Sequence, residues 1–272
     1  MQKCSLVIAA YNQEKELELV FHALTIQTFT DFEVVIADDG SGIETDKLIK
    51  KWKTRNVFPV NHVKHEHVGF RVAAIHNKAV TACSTDYIIF IDADCIPHSD
   101  LIKKHYTMRE ENHVLCGRRV DLNKKYSDKM TKESILSKEY EKIGLHHIID
   151  SFKKNGPKGI EFGWKFNTDI FKKLSGKKDI RILGSNFSLH KSLIEKLNGF
   201  DENFTGYGYG FDSEFELRLR IYGAKFKSLR NHAIQYHLYH KKRFTEKKNE
   251  EYFEQMKINR EYFCKNGLVK VI

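Results

Sequence analysis

Two carboxylates two positions apart, Asp92 and Asp94, close the apolar run Tyr87–Ile91. Alternation along a strand turns residues i and i+2 to the same side, so the pair would converge where the strand leaves its sheet. Close carboxylates repel unless a cation lies between them, and hard divalent ions favour oxygen ligands and phosphates. The spacing points to a metal-diphosphate site; a strand-ending aspartate turn is the plainer alternative. Two further groups share this placement: Tyr11-Asn12 follows an apolar run from Cys4, and Asp38-Asp39-Gly40-Ser41 follows Phe32–Ala37. Far along the chain, Asp212 stands beside Gly206, Gly208 and Gly210 at the head of an amphipathic stretch. It can accept a proton from an attacking hydroxyl or cap a helix, and the two uses are compatible.

The intervening segments supply elements to hold these residues. Leu17, Val20, Phe21 and Leu24 recur at helical spacing within 13–28. A helical stretch around Asp46–Trp52, a short strand near Val57–Val63, a helix over Val72–Ala82 and a strand at Tyr87–Ile91 follow. Strands alternating with helices predict a parallel, doubly wound sheet, in which ligands sit beyond the carboxyl ends of the strands. Tyr11, Asp39, Asp92 and Asp94 all fall at such ends.

With these pieces in order, the first hundred residues resemble a family 2 glycosyltransferase of the GT-A fold. The matching stretches are Val7–Asn12, Gln27–Ser41 and Asp92-Ala-Asp94-Cys-Ile-Pro97. The resemblance implies a Rossmann-like, mostly parallel mixed sheet flanked by helices, with an acceptor-side subdomain and a C-terminal helix. It assigns uracil stacking to Tyr11, a bond to the uracil imide to Asp39, and ribose and metal binding to Asp92 and Asp94. Ala9 and Ala93 fall in the same nucleotide-binding segments. Where the family carries an Arg-Asn pair on the helix before the Asp-x-Asp strand, this chain has His76-Asn77, with Arg71 one turn earlier. Arg71 is a replacement cation; His76 reads equally well as a polar helix residue.

The second half resembles the segment shared by galactosyltransferase-like enzymes and bacterial chondroitin-type polymerases. Gly184-Ser-Asn186 precedes a helix at about Lys191–Leu197, and Asn198–Leu219 carries the glycine turn, Asp212, Glu214 and Arg218. There a Glu-Asp pair is expected; Asp212 aligns with the Asp, and Phe211 stands where Glu belongs. The resemblance makes Asp212 the general base of an inverting transfer, and puts Gly184, Asn186, Gly208, Phe211 and Glu214 against donor sugar or acceptor, with Trp164 on the acceptor side. It also implies a third metal ligand near the end of the fold: His237 closes the apolar stretch from Ala233, with His240 nearer the phosphates. The implied cofactor is Mn²⁺ or Mg²⁺, the donor a UDP-sugar and the acceptor a glycan.

Composition sets the bounds. At 272 residues and 41% hydrophobic, one α/β domain accounts for the chain. It divides into a nucleotide-sugar half at about 1–97, an acceptor half at about 98–243 and a helical segment at about 244–272, its apolar stripe set by Phe244, Tyr252, Phe253, Met256 and Phe263. Five scattered cysteines suggest reduced thiols. Apolar runs are strand-length, without a signal-type leader; a cytoplasmic protein follows, with the inner membrane face as a further location. The net charge of +10 is concentrated in Lys-rich stretches at 123–178 and 241–265. They read as a solvated face, or as a surface for an acidic membrane or anionic acceptor. His62, His65 and His67 cluster without a cysteine, a poor zinc set. Gly206–Gly210 lacks nucleotide-loop spacing and a preceding strand. A sugar nucleotidyltransferase would need a Gly-rich cationic loop where Ala9–Glu14 stands. Nucleic acid is disfavoured as a partner by the clustered carboxylates. A transferase-like protein that binds donor without turnover remains a rival, because Phe211 breaks the dyad.

Overall fold

The computed structural model describes residues 2–143, 158–159, 163, 180–206, 210–241 and 249–271. Trp164, Gly208 and Phe244 therefore lie outside the described residues, as does most of the first Lys-rich stretch.

The N-terminal half alternates as its periodicity predicts. Strands β1 (Cys4–Ala10), β2 (Phe32–Asp38), β3 (Val60–Lys64) and β4 (Tyr87–Asp92) are separated by helices α1 (Glu14–Thr25), α2 (Ile43–Arg55) and α3 (Val72–Ala82). The four strands pair in parallel, Ala10 level with Asp38 and Ala9 with Asp92. This register brings the polar residues after each strand to one edge of the sheet. Beyond β4 come β8 (Asn186–His190), β6 (His113–Cys116) and β9 (Lys225–Ser228), giving the order β3-β2-β1-β4-β8-β6-β9 with β8 antiparallel to both neighbours.

Both faces of the sheet are covered, as near-continuous apolar strands require. Leu6, Ile8, Val34, Ile36, Ile89 and Ile91 pack with Leu17, Phe21 and Trp52 on one side. Val7, Val35, Ile88 and Phe90 pack with Ile75, Val80, Leu193 and Phe215 on the other. The interleaving of the two sets along each strand is the period-2 alternation itself.

A second sheet sits across the first. Strands β5 (Cys95–Pro97), β10 (Gln235–His237) and β7 (Val120–Asp121) run in that order, with β10 antiparallel to β5 and parallel to β7. Between them in sequence lie α4 (Leu101–Thr107), α5 (Lys124–Ser127), α6 (Lys132–Leu136), α7 (Lys191–Lys196) and α8 (Phe211–Tyr222). The expected helix over the last thirty residues is shorter: α9 spans Glu250–Asn259 and stops at Arg260, whose φ of 53° is left-handed. The remaining tail is held by Asn198, whose amide donates to the Cys264 and Val269 carbonyls and accepts from Val269 N–H.

Candidate active site

One pocket opens at the carboxyl ends of β1, β2 and β4. It is lined by Ala9, Tyr11, Gln13, Asp39, Phe70, Val72, Ile75, Asp92, Asp94 and Phe211 among others. Three separately predicted motifs thus meet in one cleft, to which α3 contributes Val72 and Ile75 and the start of α8 contributes Phe211.

On the nucleotide side, Asp39 is almost fully buried and its oxygens are engaged. Oδ1 pairs with His65 Nε2 at 2.5 Å, and Oδ2 accepts from the Arg71 backbone N–H at 3.3 Å. His67 Nδ1 bonds the Asp39 carbonyl at 2.8 Å, and its ring stacks on Tyr11 with centroids 4.2 Å apart. The histidine cluster after β3 therefore organises the β2 turn: His62 likewise bonds the buried Asp38 at 2.8 Å. Asp38 also accepts from Ser41 N–H, and these bonds outweigh burial to hold its carboxyl below the usual range. Arg71 donates through Nη2 to the Glu66 carbonyl, while its buried Nε has no hydrogen-bond partner. An unsatisfied buried guanidinium donor costs stability and marks a place for an acceptor.

On the metal side, Asp94 Oδ2 faces His237 Nε2 and His240 Nε2, both at 3.7 Å, and accepts from Gln13 Nε2 at 3.0 Å. Ligand atoms of Asp94, His237 and His240 lie within 4.8 Å of one another. One carboxylate and two imidazoles, with Asp92 alongside, suit a divalent transition ion. Electrostatics fits the same use. Burial and then the charge of Asp94 push Asp92 up. Burial opposes the shift at Asp94, yet its bond to His237 and the cations His237, His240 and Arg119 hold that carboxyl low. For His237 burial is overcome by bonds to Asp121 and Asp94, which raise it to about 9.

Asp212 lies in the first turn of α8. Its Oδ2 accepts from Gly184 N–H at 3.2 Å and its Oδ1 from Ser213 N–H at 2.8 Å. Burial raises its pKa against these bonds, making it a better proton acceptor than a surface carboxylate. Gly184 lies close to this carboxylate: a Cβ there would sit 3.1 Å from Phe211 and 3.3 Å from Asp212, so either side chain would have to give by a few tenths of an ångström.

Several predicted residues point elsewhere. Asn77 is buried and bonds the Phe200 backbone and Glu202. Glu214 pairs with Arg218 inside the protein, and Arg218 also holds the Leu197 and Gly199 carbonyls. Asn186 is fully buried, bonding His105 and the Arg118 and Ala233 carbonyls. His76 is fully buried between Phe90, Phe200 and Phe211, with burial lowering its pKa to about 4. The structure does not bring these four to the pocket wall. Sequence reasoning missed Gln13 and Arg119, and weighed His65 and His67 only as a zinc set, not as partners of Asp39. Gln13, His65 and His67 follow strand ends that the parallel order makes neighbours; Arg119 precedes a two-residue strand that leaves no periodic trace.

Comparison with known proteins agrees with this fold. A sequence model described as glycosyl transferase family 2 matches residues 5–175, and one described as the N-terminal domain of galactosyltransferase matches 170–241. The first runs through residues 120–175, where no motif was legible. The chondroitin synthase of Escherichia coli is 27% identical over 243 residues, 86% of this chain and 34% of that protein. The hyaluronan synthase of Pasteurella multocida is 24% identical, over 83% of this chain and 23% of that protein. The chain thus spans a third or less of the length of these relatives. Among solved structures, Staphylococcus aureus TarS 1–349 in complex with UDP-GlcNAc superposes with a TM-score of 0.59 at 18% identity, covering 89% of this chain and 60% of that one. The mannosyltransferase PcManGT of Pyrobaculum calidifontis, in complex with GDP-Man and Mn²⁺, gives 0.57 at 14% identity, covering 88% and 58%. The fold is GT-A, and the chain belongs to glycosyl transferase family 2.

Proposed function

We propose that this chain is an inverting, metal-dependent glycosyltransferase that moves a hexose or N-acetylhexosamine from a UDP-sugar to a glycan hydroxyl. The observation that carries the reading is the meeting of Tyr11, Asp39, Asp92 and Asp94 in one cleft that Phe211, the chain neighbour of Asp212, also lines. Tyr11 offers a ring for the base, Asp39 an acceptor for an imide N–H, and Asp92 a carboxylate for the ribose. Asp94, with His237 and His240, would hold Mn²⁺ or Mg²⁺, whose charge offsets that gained by the departing diphosphate. Asp212 takes the proton of the attacking hydroxyl, which is a poor nucleophile while it keeps it. Attack opposite the leaving diphosphate inverts the anomeric centre, so an α-linked donor gives a β-glycoside.

Two of the relatives named above are a chondroitin synthase and a hyaluronan synthase, which supports a glycan acceptor; a surface polysaccharide, a lipid-linked oligosaccharide and a glycoprotein glycan all fit. No helix among the described residues is long and apolar enough to cross a membrane. The +10 charge supports peripheral association with an acidic membrane face.

Release of UDP from a panel of UDP-sugars, with Mn²⁺ and with chelator, tests the reading. Metal-dependent release from one sugar supports it and names the donor. Absence of any UDP binding would overturn it. Because Phe211 occupies the place of the second carboxylate and packs on His76, donor binding with no transfer to any glycan would favour a binding protein over an enzyme.

A further inference from the structure

The small sheet places three residues in a row. Antiparallel pairing sets His237 opposite Cys95, the neighbour of Asp94, and parallel pairing sets it opposite Asp121. The backbone fixes the row at both ends: Leu238 N–H bonds the Asp94 carbonyl at 2.9 Å, and Leu122 N–H bonds the His237 carbonyl at 3.0 Å. Across this row Asp121 Oδ1 lies 3.0 Å from His237 Nδ1, while His237 Nε2 faces Asp94 at 3.7 Å.

An ionised carboxylate only accepts hydrogen bonds. Against Asp121, Nδ1 must therefore carry a proton, so Nε2 is the nitrogen that can give up its own proton and offer a lone pair to a metal. The same Asp121 oxygen accepts from Arg119 Nε at 2.9 Å, and Arg119 Nη1 lies 3.4 Å from Ser185 Oγ. Asp121 is thus held by Arg119 and His237 on a single oxygen. Its side chain is nearly half exposed, whereas that of Arg119 is mostly covered, so the guanidinium is the fixed member.

We infer that Asp121 is a positioning residue that holds His237 with Nε2 directed at the metal side of Asp94, and that Arg119 anchors Asp121. This rests on the proposed reading of Asp94 and His237 as metal ligands. Carboxylates bonded to the second nitrogen of a ligating histidine fix its tautomer and orientation, and their loss lowers metal affinity about 10–100-fold.

The test is Mn²⁺ affinity of the full chain, followed by electron paramagnetic resonance of free Mn²⁺, beside the thermal midpoint of each metal-free variant. Asp94→Ala and His237→Ala should lose most binding. Asp121→Ala should weaken it about 10–100-fold, Asp121→Asn, which keeps an acceptor oxygen, less so, and Arg119→Ala by a smaller factor. A purely structural role would lower the midpoint of Asp121→Ala and leave the affinity of the folded protein unchanged. Wild-type affinity in Asp121→Ala and Asp121→Asn, with His237→Ala deficient, overturns the inference while sparing the metal site. Wild-type affinity in Asp94→Ala and His237→Ala overturns both. Should Asp121→Ala fail to fold, Asp121→Asn and Arg119→Ala decide.

Discussion

Two side chains divide the proposed chemistry, and substitution separates them. Asp94→Ala should abolish metal-dependent binding of a UDP-sugar, because the carboxylate facing both His237 and His240 is gone. Asp212→Asn keeps the acceptor oxygen for Gly184 N–H but cannot take up a proton, so binding should persist while transfer falls about 10²–10⁴-fold. Isothermal titration with a nonreactive UDP-sugar analogue, beside product formation, checks both; equal loss of binding in the two variants would end the division of roles. A second pair is coupled in an unforeseen way. His76 and Phe211, the two departures from the family pattern, stack with centroids 4.8 Å apart. An arginine and a glutamate here would bring opposite charges side by side; His76 and Phe211 make an aromatic contact without charge. Phe211→Glu alone sets a carboxylate at a partly buried site against a neutral imidazole and should lower stability, whereas His76→Arg/Phe211→Glu should recover part of that loss. A double-mutant cycle on urea midpoints measures the coupling, which additivity would deny.

At the scale of elements, legibility follows the source of order. The helix Val72–Ala82 and the strand at Tyr87 were plain in the sequence because their apolar periodicity reports burial in the main sheet. The two- and three-residue strands of the small sheet were not. Val120–Asp121 and Gln235–His237 are too short for a period and exist through pairing across more than a hundred residues. Hence Asp94 and His237 were legible as chemistry, while Asp121 and Arg119, which adjoin them, were not. Glu214 misled for another reason: its spacing from Arg218 is one helical turn, the geometry of a pair that stabilises α8. Both members are buried, and Arg218 also ties α8 to the Leu197–Gly199 turn. Removing one partner strands the other charge, so Glu214→Ala should cost about 3–5 kcal/mol. Chemical denaturation checks this, and transfer per folded molecule should remain near wild type, since the pair is not part of the pocket lining.

The whole molecule answers pH through histidines that burial and pairing push in opposite directions. His76 and His105 are enclosed, and desolvation lowers each to about 4 from an ordinary 6.5. Below pH 6.5 the unfolded chain takes up protons that these sites refuse, so stability falls as pH drops towards 4 and levels off beneath it. The full shift is worth roughly 3 kcal/mol per histidine, a large part of the 5–15 kcal/mol typical of a folded domain. His237 acts with the other sign. Burial is outweighed there by Asp121 and Asp94, which raise it to about 9. Its contribution is complete below pH 6.5 and is lost as pH climbs through 9. These three histidines by themselves favour the metal-free protein most near pH 6.5, with an acid limb from the buried neutral pair and an alkaline limb from His237. Asp92, raised to about 7 by burial and by Asp94, withdraws stability as pH climbs towards 7. Urea midpoints from pH 4.5 to 9 in chelator trace the curve. His237→Gln should flatten the alkaline limb alone, and His105→Gln should soften the acid limb alone. An alkaline limb that persists without His237 would mean that the Asp94–His237–Asp121 row is not its source.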